Sequence, residues 1–237
     1  MLGQVRVGRI VNQKNPSYKG FENIVVMLKS HSVWYPLSPY FLKDDDGCIM
    51  ENCWQFSKIY PKVQQSTQKY SRYNDTIIWQ WPEEEHIKDD MIQPEYWIWR
   101  QAGFHNQYAV RYPVGYTHKP TVAYSLLEKG GVPLNYIEAR KAIYLPLYTS
   151  LAKKEERYKQ LKKMLEKGVN LLIIEVDGPH EESLDYYKNK YNVNNDFIKH
   201  DTMLATKENL SIMLNDPKHA FGHGYCLAAS LLNIDLV

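Results

Sequence analysis

Leu171-Leu172-Ile173-Ile174-Glu175-Val176-Asp177 is the stretch whose reading decides the fold. Its aliphatic run, closed by Gly178-Pro179, predicts a short buried strand over 171–176. Just upstream, Gly168 ends a helix that starts after Ser150 as N-cap and carries the stripe Leu151, Tyr158, Leu161 and Leu165. Before that, residues 134–145 read as a helix that Pro146 ends or kinks. Downstream, helices are expected over 181–190, over 206–214 with Thr206 as cap, and over 224–232. Strands buried among helices in this order predict an α+β fold, mainly helical with short strands.

Toward the N-terminus the pattern changes. Residues 1–45 read as short strands and turns, with strand-like alternation of Ile24, Val26 and Leu28. Residues 49–60 read as a helix with Ile49, Cys53, Phe56 and Tyr60 in one arc and Glu51, Gln55 and Lys58 opposite, bordered by Trp54. Residues 65–133 have weak periodicity and many aromatics, including Trp79, Trp81, Trp97 and Trp99, and read as an irregular elaboration. No linker or repeat interrupts the chain, so one domain over 1–237 is expected.

Composition narrows the class. A formal charge of +2 leaves no global field to recruit nucleic acid, so an anionic ligand must be held by a local cluster. Three cysteines, Cys48, Cys53 and Cys226, form an odd set without CxxC spacing, which fits a reducing compartment. The start MLGQVRVGRI lacks an apolar signal core, and no aliphatic run is long enough to span a bilayer. The expected location is cytoplasmic, or host cytoplasm for a viral chain.

Phosphate-loop, nucleophile-elbow and HExxH signatures are all missing. His219, His223 and Cys226 are close in sequence, but the intervening glycines argue against a metal site, and no cofactor is expected. What remains is a set of carboxylates beside basic and aromatic residues. Glu51, Gln55 and Lys58 share a helix face with Trp54, an arrangement that suits a pocket as well as a solvated face. Glu175 and Asp177 flank Val176 and should point the same way from the strand end. Gly222 and Gly224 precede the last helix, where backbone amides favour phosphate.

These residues also carry a resemblance. Leu37-Ser38-Pro39-Tyr40, the turn at Gly47 and Glu51-Asn52-Cys53-Trp54-Gln55-Phe56-Ser57-Lys58 resemble the opening of the NADAR (YbiA-like) superfamily, with its E-H-x-x-Q-x-x-K helix. Glu138-Ala139-Arg140-Lys141-Ala142-Ile143 resembles that family's M-R-K-A-L helix, and the strand to Asp177 its L-x-E-x-(T/S)-x-D stretch. Gly222-His223-Gly224-Tyr225-Cys226-Leu227 resembles its closing glycine motif. The likeness covers about two-thirds of the chain. Asn52 stands where the family has His, Gly178-Pro179 replaces its Trp-Gly, Phe221 stands near its final asparagine, and 65–133 has no counterpart.

The resemblance implies a YbiA-like single domain that hydrolyses N-glycosidic bonds of phosphorylated ribosides: ribosylamino-pyrimidines of the riboflavin route, or ADP-ribosylated nucleobases. On that reading Glu51 stabilises positive charge on the sugar, with Asp177 as second carboxylate and Glu175 as its substitute. His223 protonates the leaving base. Lys58, Arg140 and Lys141 hold phosphate beside Gly222 and Gly224, while Trp54 and Gln55 line the substrate. The alternative is a binder without turnover for nucleotides, ADP-ribose or modified nucleic acid, supported by Trp97, Trp99, Arg100, Arg111 and Tyr112.

Overall fold

The computed structural model describes residues 1–27, 32–61, 70–71, 74–78, 85–110 and 122–237. Leu28, Trp79, Trp81, Glu83, Glu84, Arg111 and Tyr112 therefore lie outside the described residues. In chain order the elements used below begin with β1 (Val5–Arg9), β2 (Glu22–Val25), α1 (Met50–Gln55), β3 (Lys58–Ile59) and α2 (Pro94–Phe104). Next come β4 (Tyr124–Ser125), α3 (Tyr136–Ala139), α4 (Leu145–Lys154), α5 (Glu156–Glu166) and β5 (Leu171–Glu175). The chain closes with α6 (Leu184–Tyr191), β6 (Thr202–Leu204), α7 (Lys207–Leu214) and α8 (His223–Leu232). It is a mixed α/β fold. Among the described residues no helix is long and apolar enough to cross a membrane, and Cys48, Cys53 and Cys226 are not in disulfides.

The chain divides into two compact units. The first combines Met1–Ser38 with Leu145–Val237, and the second is Pro39–Tyr144, which encloses the 65–133 elaboration.

In the first unit a four-stranded sheet has the order β6-β1-β5-β2. β5 lies parallel to both neighbours, pairing Ile173 with Val7 and with Ile24, while β6 runs antiparallel to β1. All five residues of β5 are buried, which is why its sequence shows no polar alternation. Gly168, at φ +87°, supplies the left-handed stop before this strand. α8 packs on β1 and β5 and also touches α4, α5 and α7. Residues 224–231 of α8 are all buried, and each fully buried Leu there contributes about 1.5–3 kcal/mol.

In the second unit the core is aromatic: Phe56, Ile59, Tyr60, Tyr96, Trp99, Val110 and Leu126. α1 packs against α2. A Cβ on Gly103 would sit 2.0 Å from the Phe56 ring, so only glycine permits this approach. Asn52 is fully buried and works as a clamp. Its Nδ2 donates to the carbonyls of Asn106 (3.3 Å) and Tyr108 (3.0 Å), and its Oδ1 accepts from the Val110 amide (2.7 Å). His86 is buried beside Tyr60, Tyr96 and Trp99 and accepts at Nδ1 from the Tyr60 amide (3.0 Å).

Several boundaries differ from the sequence reading. The helix expected over 49–60 stops at Gln55, because Phe56 caps it and Lys58–Ile59 pairs with Tyr124–Ser125 as a strand. Tertiary pairing overrides helical periodicity there. Pro146 does not end its helix. A π-helical turn over Arg140–Tyr144 precedes α4 and changes the hydrogen-bond register just upstream of the imino ring. Ser150 is no cap: it sits inside α4, donating to the Leu147 carbonyl (2.9 Å), and α5 begins after an extended Glu155. Thr206 does cap α7, accepting from the Asn209 amide at 3.2 Å.

Candidate functional site

In the second unit, α1 and the strand after it gather four of the expected side chains. Glu51 lies in the first turn of α1, where the helix dipole favours a carboxylate, and is only 6% exposed. Gln55 Nε2 donates to Glu51 Oε1 (2.7 Å), and Lys58 Nζ donates to Gln55 Oε1 (2.8 Å). The orientation of the Gln55 amide is thereby fixed: its NH2 must face the carboxylate and its oxygen the ammonium. Lys58 Nζ also lies 4.7 Å from the Trp54 ring centroid. Although Lys58 is on a strand, the short turn after α1 still brings its ammonium back to the helix face.

Trp54 meets Tyr144 edge-on, with centroids 5.1 Å apart. Tyr144 closes the π-helical turn that starts at Arg140, so this contact ties that turn to α1. Arg140 is 1% exposed, and its guanidinium lies 4.1 Å over the Tyr136 ring. Lys141 is half-buried beside it. Carboxylate, amide, ammonium and indole thus form one constellation with Arg140 on an adjoining turn.

A second cluster belongs to the first unit. Glu175, at the end of β5, is 1% exposed; its Oε1 accepts from the Gly224 amide (2.9 Å), and its Oε2 lies 3.0 Å from His223 Nδ1. His223 Nε2 faces the Val26 carbonyl at 3.2 Å. A carbonyl only accepts, so Nε2 carries a proton, and the carboxylate favours a second one on Nδ1. Burial, the largest influence, disfavours the charged ring, but the charge and hydrogen bond of Glu175 and the Val26 carbonyl outweigh it and raise the pKa of His223. Geometry and charge thus both favour the protonated ring beside Glu175.

This arrangement changes the roles expected from sequence. β5 ends at Glu175, so the alternation does not extend to Asp177: Glu175 is buried, whereas Asp177 is exposed. The Gly224 amide, expected to meet phosphate, is used by Glu175. Gly222 and Gly224 are required by that carboxylate, since Cβ atoms on them would lie 2.2 and 2.7 Å from its oxygens. His223 has both ring nitrogens engaged within the fold. Trp99 is 4% exposed and Arg100 is 7% exposed, with Nη2 on the Leu127 carbonyl (2.5 Å). Both are core elements of the second unit and not a stacking platform.

The sequence reading missed a third cluster, also in the first unit. The fully buried Asp216 carboxylate accepts from Tyr186 Oη (2.5 Å), Tyr187 Oη (3.0 Å) and Tyr191 Oη (3.3 Å). It also lies 2.6 Å from His219 Nδ1. Burial pushes its pKa up, but the bonds from Tyr186, His219, Lys218 and Tyr187 prevail and hold it at about 2. Three tyrosines on one short helix were the available signal, but their acceptor lies 25 to 30 residues away in sequence. His219 and His223 thus belong to different clusters. Family models, curated proteins and solved structures give no match to this chain.

Proposed function

We propose that the second unit carries an N-glycosyl hydrolase site of the YbiA-like kind, acting on a phosphorylated riboside. The observation that carries this reading is the Glu51 carboxylate, nearly buried yet oriented by Gln55 and flanked by Lys58 and Trp54. Cleavage of a ribose–nitrogen bond builds positive charge on the sugar, and a fixed carboxylate of low solvent exposure stabilises that charge strongly. Lys58, Arg140 and Lys141 supply cations for phosphate, and Trp54 supplies a flat surface for base or ribose. Asn52, where the family has His, has a structural reason: it clamps 106–110, so its departure leaves the Glu51–Gln55–Lys58 set in place.

Incubating the full chain with an ADP-ribosylated guanosine or a ribosylamino-pyrimidine phosphate and following free base by mass spectrometry tests this reading. Release of base above the uncatalysed rate supports it, and intact substrate after prolonged incubation opposes it.

A groove of about 890 Å³ in the first unit favours a second reading, a binder without turnover. Arg9, Lys14, Lys19 and Lys199 line it against the acids Glu181 and Asp201, a net positive surface suited to a nucleotide phosphate. Tight binding of ADP-ribose with no cleavage would favour it.

A further inference from the structure

The Asp216 cluster contains more than a buried acid. His219 Nδ1 contacts Asp216 Oδ2 at 2.6 Å, and the other ring nitrogen, Nε2, faces Ser183 Oγ at 3.3 Å. A carboxylate only accepts, so Nδ1 must carry the proton. The Nε2 lone pair is thereby directed at the serine hydroxyl. Asp216 is fully buried, the His219 side chain is 27% exposed and Ser183 is half-buried, so the relay runs from core to surface.

Ser183 provides an independent sign. It closes the 3-10 turn Glu181–Ser183, which His180 caps and which runs straight into α6. Here its hydroxyl makes no cap hydrogen bond and is turned to His219 instead. Tyr187 Oη, 3.0 Å from both Asp216 Oδ2 and His219 Nδ1, helps hold the acid and the ring in place.

We propose that Ser183, His219 and Asp216 form a nucleophilic acyl-transfer site in the first unit, separate from the glycosidase site proposed above. Ser183 Oγ attacks the carbonyl carbon of an ester while its proton passes to His219 Nε2. The tetrahedral intermediate collapses, the carbon–alkoxide bond breaks, and the alkoxide takes that proton and leaves as an alcohol. Water then attacks the acyl-serine, gives a proton through His219 back to Ser183, and releases a carboxylic acid. Ester and water become acid and alcohol, with no other reactant. Asp216 is a positioning residue that fixes the tautomer. The substrate class is a carboxylic ester, and Glu182 and Asp185 beside the serine are paired with His180 (3.5 Å) and Lys188 (3.6 Å).

The test treats the full chain with a fluorophosphonate and, separately, with p-nitrophenyl acetate. The expected result is a single covalent adduct mapped to Ser183 by peptide mass spectrometry. S183A should lose it, and esterase turnover should fall on the order of 1000-fold. S183A removes a single half-buried hydroxyl, and circular dichroism confirms that the variant keeps its fold. In D216N the labelling rate at Ser183 should fall while circular dichroism stays unchanged, a split that a merely structural acid would not give. Absence of an adduct at Ser183, or equal esterase turnover in S183A, overturns the proposal.

Discussion

Gly222 stands against the Glu175 carboxylate so closely that a Cβ there would lie 2.2 Å from Oε2. The end of that side chain is not free to yield, because Gly224 and His223 hold its two oxygens. Gly222→Ala must therefore displace a buried ion pair or shift the start of α8. A loss of about 1–3 kcal/mol is expected, read as a lower melting temperature. Gly20→Ala, at an exposed position where a Cβ meets no neighbouring atom but φ is positive, reports backbone strain alone.

The ion pair itself sets a pH dependence. The pKa of His223 is raised in the folded state, so its stabilisation is complete below its unfolded value of about 6.5 and fades as pH rises through the folded value. Amide protection factors of α8 and β5, which remove the intrinsic pH dependence of exchange, should therefore fall on the alkaline side. Glu175→Gln removes the charge that holds the imidazolium and is expected to cost about 3 kcal/mol. It should also flatten that alkaline trend. A variant that keeps the wild-type pH profile would show that the pair does not set it.

His86 imposes the opposite sign on the second unit. Burial lowers its pKa to about 4, so the neutral ring is favoured in the fold while the unfolded chain protonates near 6.5. Stability is full above that unfolded value and falls as pH drops from about 6.5 toward 4, by about 3 kcal/mol in total. Amide protection factors around Tyr60 and Tyr96, which remove the intrinsic pH dependence of exchange, should fall across this window. His86→Gln, which retains an acceptor for the Tyr60 amide, should remove the acid dependence. If protection factors in that core are unchanged between pH 7 and pH 4, the assignment of a neutral buried ring is wrong.

Much of this was legible in the sequence, for identifiable reasons. The aliphatic run at 171–174, the Gly168 stop and the Thr206 cap act through local backbone chemistry, and each appears in the fold as the residues indicate. The grouping of Glu51, Gln55 and Lys58 was also readable, though the helix that suggested it ends before Lys58. What could not be read depends on distant partners. The pairing of Lys58 with Ser125 truncates α1, and the glycines at 222 and 224 answer to a carboxylate 47 and 49 residues earlier. Pro146 is accommodated by a π-helical turn that no residue in its own vicinity signals. The Asp216 cluster joins a loop acid to tyrosines on α6, and that convergence belongs to the tertiary structure alone.

The central claim concerns the carboxylate at the head of α1, and steady-state kinetics on the released nucleobase test it most directly. Glu51→Gln preserves the shape and one acceptor for Gln55 but removes the charge, so kcat should fall on the order of 100-fold or more with KM little changed. Lys58→Met should instead raise KM for the phosphorylated riboside, with a smaller effect on kcat. Full kcat in Glu51→Gln would contradict the account.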